Sequence, residues 1–221
     1  MSAELLQLIL NAALETLWMV AVSGGIAMAL GLPLGVFLAT SGRGELFAAP
    51  LANRLLGLVV NVTRSTPFII LVVAIIPFTR LVAGTSIGTS AAIVPLTVAA
   101  TPFIARLIET AIREVDPGLI EAARAIGARP LQIVTKVLIP EAVPTIVLSM
   151  TLAIVSLIGF SAMVGAVGGG GLGDLGIRYG YQRFMPETMA VVVVVLVALV
   201  QAVQSAGERL ARRLNRRIRH A

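Results

Sequence analysis

Polar and apolar positions along this chain fall into long blocks rather than a short repeat. Residues 16–42 contain no Asp, Glu, Lys or Arg, and the same is true of 81–105, 142–173 and 188–207. Residues 55–76 are interrupted by a single charge, Arg64. A helix rises 1.5 Å per residue, so about 20 apolar residues cross the hydrocarbon of a bilayer. The blocks predict five spans, at about 17–39, 55–76, 81–105, 144–164 and 188–207. In lipid the backbone must satisfy its own hydrogen bonds, so the spans are helices. Pro95 and Pro102 fall inside the third span and are tolerated where neighbouring helices cover the freed carbonyls. The fold class that follows is an all-α integral membrane protein.

Composition agrees. The 221 residues are 57% hydrophobic and 13% charged, about half the charge of an ordinary soluble domain. There is no cysteine, which excludes a disulfide framework and a thiolate metal site. The net charge of +6 is concentrated in the last residues, where Arg209, Arg212, Arg213, Arg216, Arg217 and Arg219 follow the last span. The tail, 205–221, is read as a basic flank drawn to anionic lipid headgroups rather than as a nucleic-acid site. Leu210, Leu214 and Ile218 give it an apolar helical stripe.

Five spans put the termini on opposite faces, and the positive-inside rule selects the orientation. Residues 1–12 contain no Lys or Arg. They lack the basic start of a cleaved signal peptide and are expected to be retained on the outer side. With the N-terminus outside, the inner segments hold Arg43 and Arg54, then Arg106, Arg113, Arg124, Arg129 and Lys136, then the six tail arginines. The outer segments hold Arg80, Arg178 and Arg183. The C-terminus is therefore expected to be cytoplasmic, and 13–204 to be the transmembrane domain.

One inner segment, about 114–140, departs from its surroundings. It is short, charged and punctuated by Pro and Gly. Asp116 is placed to cap a helix and Pro117 suits its first position. Leu119, Ala122, Ala123 and Ile126 recur at helical spacing, flanked by Glu121 and Arg124. Gly127 stands where a helix end favours a left-handed residue. Pro130 starts a second helix, expected to run to about Leu138 and to end at Pro140. The pattern fits an amphipathic loop lying on the bilayer, or a docking element with a small, charge-rimmed face.

The residues Glu121-Ala122-Ala123, Gly127, Val137, Ile139 and Pro140 carry the spacing Glu-Ala-Ala, three residues, Gly, nine residues, aliphatic, any residue, aliphatic, Pro. This resembles the EAA loop of ABC importer permeases, with Val137 and Ile139 where that family most often has Ile and Leu. The resemblance implies that the loop is a coupling helix docking into a separate cytoplasmic ATPase, with Glu121, Ala122, Ala123, Arg124 and Gly127 at the contact. Three further stretches, "NVTRSTPFIILVVAIIPFTR", "GTSIGTSAAIVPLTVAATPFIARLIE" and "GFSAMVGAVGGGGLGDLGIRYGY", resemble the methionine permeases of that family. What this implies is a type I ABC importer permease fold in the bacterial cytoplasmic membrane and a second copy of the chain. It also implies two ATPase subunits carrying the ATP and magnesium, and an extracytoplasmic methionine-binding protein.

The chain itself has no phosphate-cradling loop. Such a loop needs G-x-x-x-x-G-K-[ST], and the lone lysine, Lys136, has no preceding glycine in that register. The run "GAVGGGGLGDLG" lacks a lysine and is expected outside, as a flexible or re-entrant loop, a gate, or a docking surface for the binding protein. Arg64, inside a span, requires a partner, a water-filled cavity or an escape to the interface. Glu121 and Glu141 are candidate partners. Met163, at the outer end of span four, is either packing or a pathway contact. His220 is the sole histidine, and no metal or acid–base site is expected. Import of another small solute or apolar amino acid is the alternative within the class. A stand-alone secondary transporter would call for inverted repeats and mid-span acids, and neither is visible.

Overall fold

The computed structural model describes residues 3–214, and these form helices and turns. In chain order they are α1 (Ala3–Thr40), α2 (Pro50–Ser65), α3 (Phe68–Ala74), α4 (Ile76–Ala83), α5 (Thr89–Arg113), α6 (Pro117–Ala125) and α7 (Pro130–Ile133). A π-helical turn, Val134–Leu138, leads into α8 (Ile139–Gly165). Then come α9 (Gly171–Leu175), a second π-helical segment, Gly176–Gln182, and α10 (Pro186–Leu214). Four helical stretches are long and apolar enough to cross a membrane, or five if the bent pair α2 and α3 is one span. Arg216, Arg217, Ile218, Arg219 and His220 lie outside the described residues.

The centre of the molecule is the seam between α1 and α5, closed on one side by α8. Met19, Ala27, Leu96, Ala100, Ile104, Ile108 and Leu157 are fully buried there. Gly31 and Gly35, one turn apart on α1, let the two backbones approach closely. A Cβ on Gly35 would sit 2.5 Å from the Ala105 carbonyl oxygen, and one on Gly31 2.8 Å from Ile104 Cγ2. Small residues at this spacing are what membrane helices use in place of a hydrophobic driving force. The Phe68 and Phe160 rings stack at 4.4 Å and join α3 to α8. By contrast α10 rests on α8 and leaves Val193, Val194 and Val197 exposed.

The structure revises several expected boundaries. The span expected over 55–76 is broken, with α2 and α3 meeting at 103°. Pro67 holds Thr66 extended, at φ −79° and ψ 124°, which ends the helix. The next span starts and ends later than 81–105, because Leu81 belongs to α4 and Gly84 terminates that helix at φ 73°. α5 then runs on through Arg106, Glu109 and Arg113, whose charges are mutually paired. Nor does Pro140 end a helix. The Ile139 N–H donates to the Val134 carbonyl five residues back, and the helix continues into α8. A proline ring crowds the carbonyl four residues before it, and a π turn gives that carbonyl room. At the chain ends, α1 already includes residues expected to precede the first span, and α10 extends through Arg209, Arg212 and Arg213 of the expected tail.

Candidate functional site

Several regions carry the candidate residues, and the first is the loop built on α6. The Asp116 carboxylate accepts the Gly118 N–H at 2.8 Å, while Pro117 occupies the first turn. At the other end Gly127 adopts φ 77°. Its N–H donates to the Arg124 carbonyl at 3.0 Å, and the Ala128 N–H to that of Ala123 at 3.0 Å. The chain reverses in this left-handed turn. The Gln132 side-chain oxygen then accepts the Arg129 N–H at 2.9 Å and starts α7. Val115, Ala123, Ile133 and Val134 are buried beneath the loop.

The expected docking set is divided by this packing. Glu121, Ala122, Arg124 and Gly127 are exposed, whereas Ala123 faces inward and holds α6 to the body. The apolar stripe read from helical spacing does not become a buried face. Ile126 is 85% exposed and Leu131 66% exposed. The outward face is therefore Ala122, Ala125, Ile126 and Leu131, with Glu121, Arg124 and Arg129 around it. Ile126 and Leu131 were not among the expected contacts. Part of their signal was available: both are large aliphatic residues in a segment whose buried positions beside them are small, such as Ala123.

A second region ties this end of the molecule together. The buried Glu109 carboxylate lies between two guanidinium groups of its own helix, pairing with Arg106 through Oε2 and with Arg113 at 3.1 Å through Oε1. Arg106 also donates to Asn61 Oδ1 on α2 at 2.9 Å. Arg113 reaches the Leu38 carbonyl on α1 at 3.4 Å, and Asn53 donates to that same carbonyl at 2.8 Å and to Ser41 Oγ at 3.0 Å. Three helices are thereby joined just before α5 runs into α6. Sequence reading counted these charges for topology and passed over Glu109, although its spacing from both arginines is that of helical ion pairs.

The remaining candidates, Arg64 and Met163, are on different helices. Arg64 stands at the end of α2, beside the break, with its guanidinium carbon 6.0 Å from the centre of the Phe103 ring. Met163, near the end of α8, is 49% exposed. It precedes the glycine run, which is ordered and packed. The Glu15 carboxylate accepts the Gly171 N–H at 2.8 Å, and Thr16 Oγ1 accepts the Leu172 N–H at 2.9 Å. Leu172 and Leu175 fill a small core with Ile9, Ala12 and Val192, and Asp174 pairs with Arg178. Among the described residues no group of three His, Cys, Asp or Glu side chains could hold a metal ion.

A bent-span helical body with a short, capped helix projecting at one end is the geometry to compare with known proteins. Residues 31–220 match the family described as "binding-protein-dependent transport system inner membrane component". The chain belongs to that family. It is 56% identical over 210 residues to the probable D-methionine transport system permease protein MetI of Vibrio cholerae, covering 95% of this chain and 93% of that one. It is 51% identical over 165 residues to the D-methionine transport system permease protein MetI of Escherichia coli K12, covering 75% and 76%. A solved structure described as inward-facing conformations of the MetNI methionine ABC transporter superposes with a TM-score of 0.95 at 50% identity, over 98% of this chain and 100% of that one. The fold is that of a type I ABC importer permease, and the protein is a multi-pass inner membrane component.

Proposed function

We propose that this chain is the membrane-spanning subunit of an ATP-driven importer that carries methionine, the D-isomer included, across the cytoplasmic membrane. The observation that carries the reading is the near full-length likeness to D-methionine permeases and to the MetNI structure. The chain works as two copies. A separate ATPase supplies the energy and holds the ATP and magnesium, since no phosphate-cradling loop is present here. An extracytoplasmic binding protein delivers the solute. The N-terminus lies outside and the C-terminus inside, as supported by the distribution of Lys and Arg. The coupling contact is the exposed face of α6 with Glu121, Ala122, Arg124 and Gly127. Ala123 supports that face from below. Arg64 and Met163 belong to the pathway or its gate.

The physical logic favours this division of labour. A coupling element has to be short, rigid and held in register. The Asp116 cap, the Gly127 turn and the buried Ala123 supply those properties. The test is uptake of labelled D- and L-methionine, leucine and glutamine in vesicles holding this chain and its ATPase, with and without binding protein. Methionine uptake that requires both ATP and binding protein is expected. Equal uptake of all four solutes would remove methionine from the proposal, and selective uptake without ATP would remove the importer.

A further inference from the structure

We propose that Arg64 forms a contact for the carboxylate of the passing solute in the inner half of the membrane, a site that rests on the permease reading above. The argument begins with depth. Arg64 packs over Phe103, which lies about 21 Å along α5 from Thr89 and about 15 Å from Arg113. Phe103 is also one turn before Arg106, where the charge-free part of α5 ends, so the guanidinium lies within the inner half of the membrane, one turn deeper than the Arg106–Glu109 pair. It is also exposed. A cation at that depth is disfavoured in lipid and faces water, a counter-charge or the interface one turn away. In a permease, the water-filled space at that depth is the pathway.

The neighbours narrow the role. Arg64 sits one helical turn beyond Asn61 on α2, and Phe103 sits one turn before Arg106 on α5. The two helices are therefore joined by consecutive rungs, Asn61 to Arg106 and Arg64 to Phe103. On the lower rung the guanidinium of Arg106 is matched by Glu109. On the upper rung, among the described residues, the guanidinium meets a ring and no carboxylate. The hydroxyls beside it are already engaged with the backbone of their own helix. Thr63 donates to the Val59 carbonyl at 2.9 Å, Ser65 to that of Asn61 at 2.9 Å and Thr66 to that of Val62 at 3.1 Å. The break after Ser65 bends the chain by 103° between α2 and α3. An arginine steadied on one face by an aromatic ring, with its fork of donors open, matches a carboxylate bidentately. A zwitterionic amino acid presents that group. An apolar side chain alone does not.

The chain has no cysteine, so Ser65→Cys places one thiol beside the guanidinium, and a gel separates this chain from its ATPase. In the assembled transporter the thiol is treated with an anionic sulfonatoethyl or a cationic trimethylammonioethyl methanethiosulfonate. With Arg64 present, the ratio of anionic to cationic rate should exceed that in the Arg64→Gln protein roughly 25-fold, since a unit charge about 4 Å away in water changes each rate about fivefold and in opposite directions. Arg64→Lys should keep the preference. Millimolar methionine should slow labelling, and methioninamide, which lacks the carboxylate, should not. An unreactive thiol overturns the proposal. So do equal rate ratios with and without the Arg64→Gln substitution, or equal effects of methionine and its amide. A carboxylate from the second copy occupying the site would leave the thiol indifferent to methionine, and that result also overturns it. Failure of the parent transporter to take up methionine would instead count against the substrate assignment.

Discussion

Substitution at Gly127 isolates what the turn after α6 contributes to the proposed coupling. The residue sits at φ 77°, and a Cβ built there would meet nothing within 4 Å. No packing is lost or crowded, so the penalty of a side chain is conformational. An L-residue with a Cβ is disfavoured in the left-handed region by about 1–2 kcal/mol. Asn is the mildest replacement, Ala stands near the middle, and the β-branched Val is the worst. Each 1.4 kcal/mol lowers the population with the turn intact about tenfold relative to alternatives in which α7 starts elsewhere. The order Asn, Ala, Val should therefore be the order of falling methionine uptake and of falling ATPase recovery with the tagged permease. Insertion into the membrane should be unchanged, because α5 and α8 flank the loop and are packed independently of the turn. Wild-type uptake by Gly127→Val would refute the reasoning. So would equal defects in the Asn and Val proteins, since the argument rests on the conformational series.

Two other predictions follow from packing and charge. Gly35→Ala should lower the temperature at which the detergent-solubilised protein loses its monodisperse peak by several degrees, because its Cβ would stand 2.5 Å from the Ala105 carbonyl oxygen. Gly25→Ala on the same helix, with nothing within 4 Å, should leave that temperature unchanged; equal effects of the two would show that the α1–α5 contact is not the cause. For topology, single cysteines at the exposed Gln182 and Ala125 should be labelled by an impermeant reagent from outside at Gln182 alone. Labelling of Ala125→Cys in intact cells would invert the assigned orientation. Gly173 is unsuited to that experiment, since its Cβ would fall 2.3 Å from the Ala162 carbonyl oxygen.

Membrane crossing was legible from absence of charge, and the same criterion explains where the reading slipped. It counts Arg106, Glu109 and Arg113 as a helix end, whereas one buried carboxylate between two guanidiniums lets the helix run through them. It is also blind to backbone conformation. Ser65-Thr66-Pro67 reads as acceptable span, yet proline fixes the preceding residue and turns the chain. The loop around α6 was legible because Asp116, Pro117 and Gly127 each have a local reason to be there. Its outward face was not, because helical spacing gives a stripe without saying which side meets the body. Ala123 was small enough to be taken in beneath the loop, and Ile126 was left outside.

The junctions on either side of α6 differ in backbone geometry, and in the coupling role proposed for α6 that difference bears on how a displacement leaves it. On the entering side only Glu114, Val115 and Asp116 separate α5 from α6. α5 is about 37 Å long, holds Pro95 and Pro102 within it and packs along α1, so the two move as one body. A tilt of about 10° imposed at the α6 end sweeps the far end of such a body through about 6 Å. On the leaving side the path to α8 passes through the wider π turn at Val134–Leu138, where a carbonyl has room to shift without unwinding the helix. In the coupling role proposed for α6, a push on it would pass directly into α5 and, on the other side, through the π turn before it reaches α8. The Asn61–Arg106 and Arg64–Phe103 rungs fasten α2 to α5, so a displacement of α5 would reach the helix that ends at the bend beside Arg64.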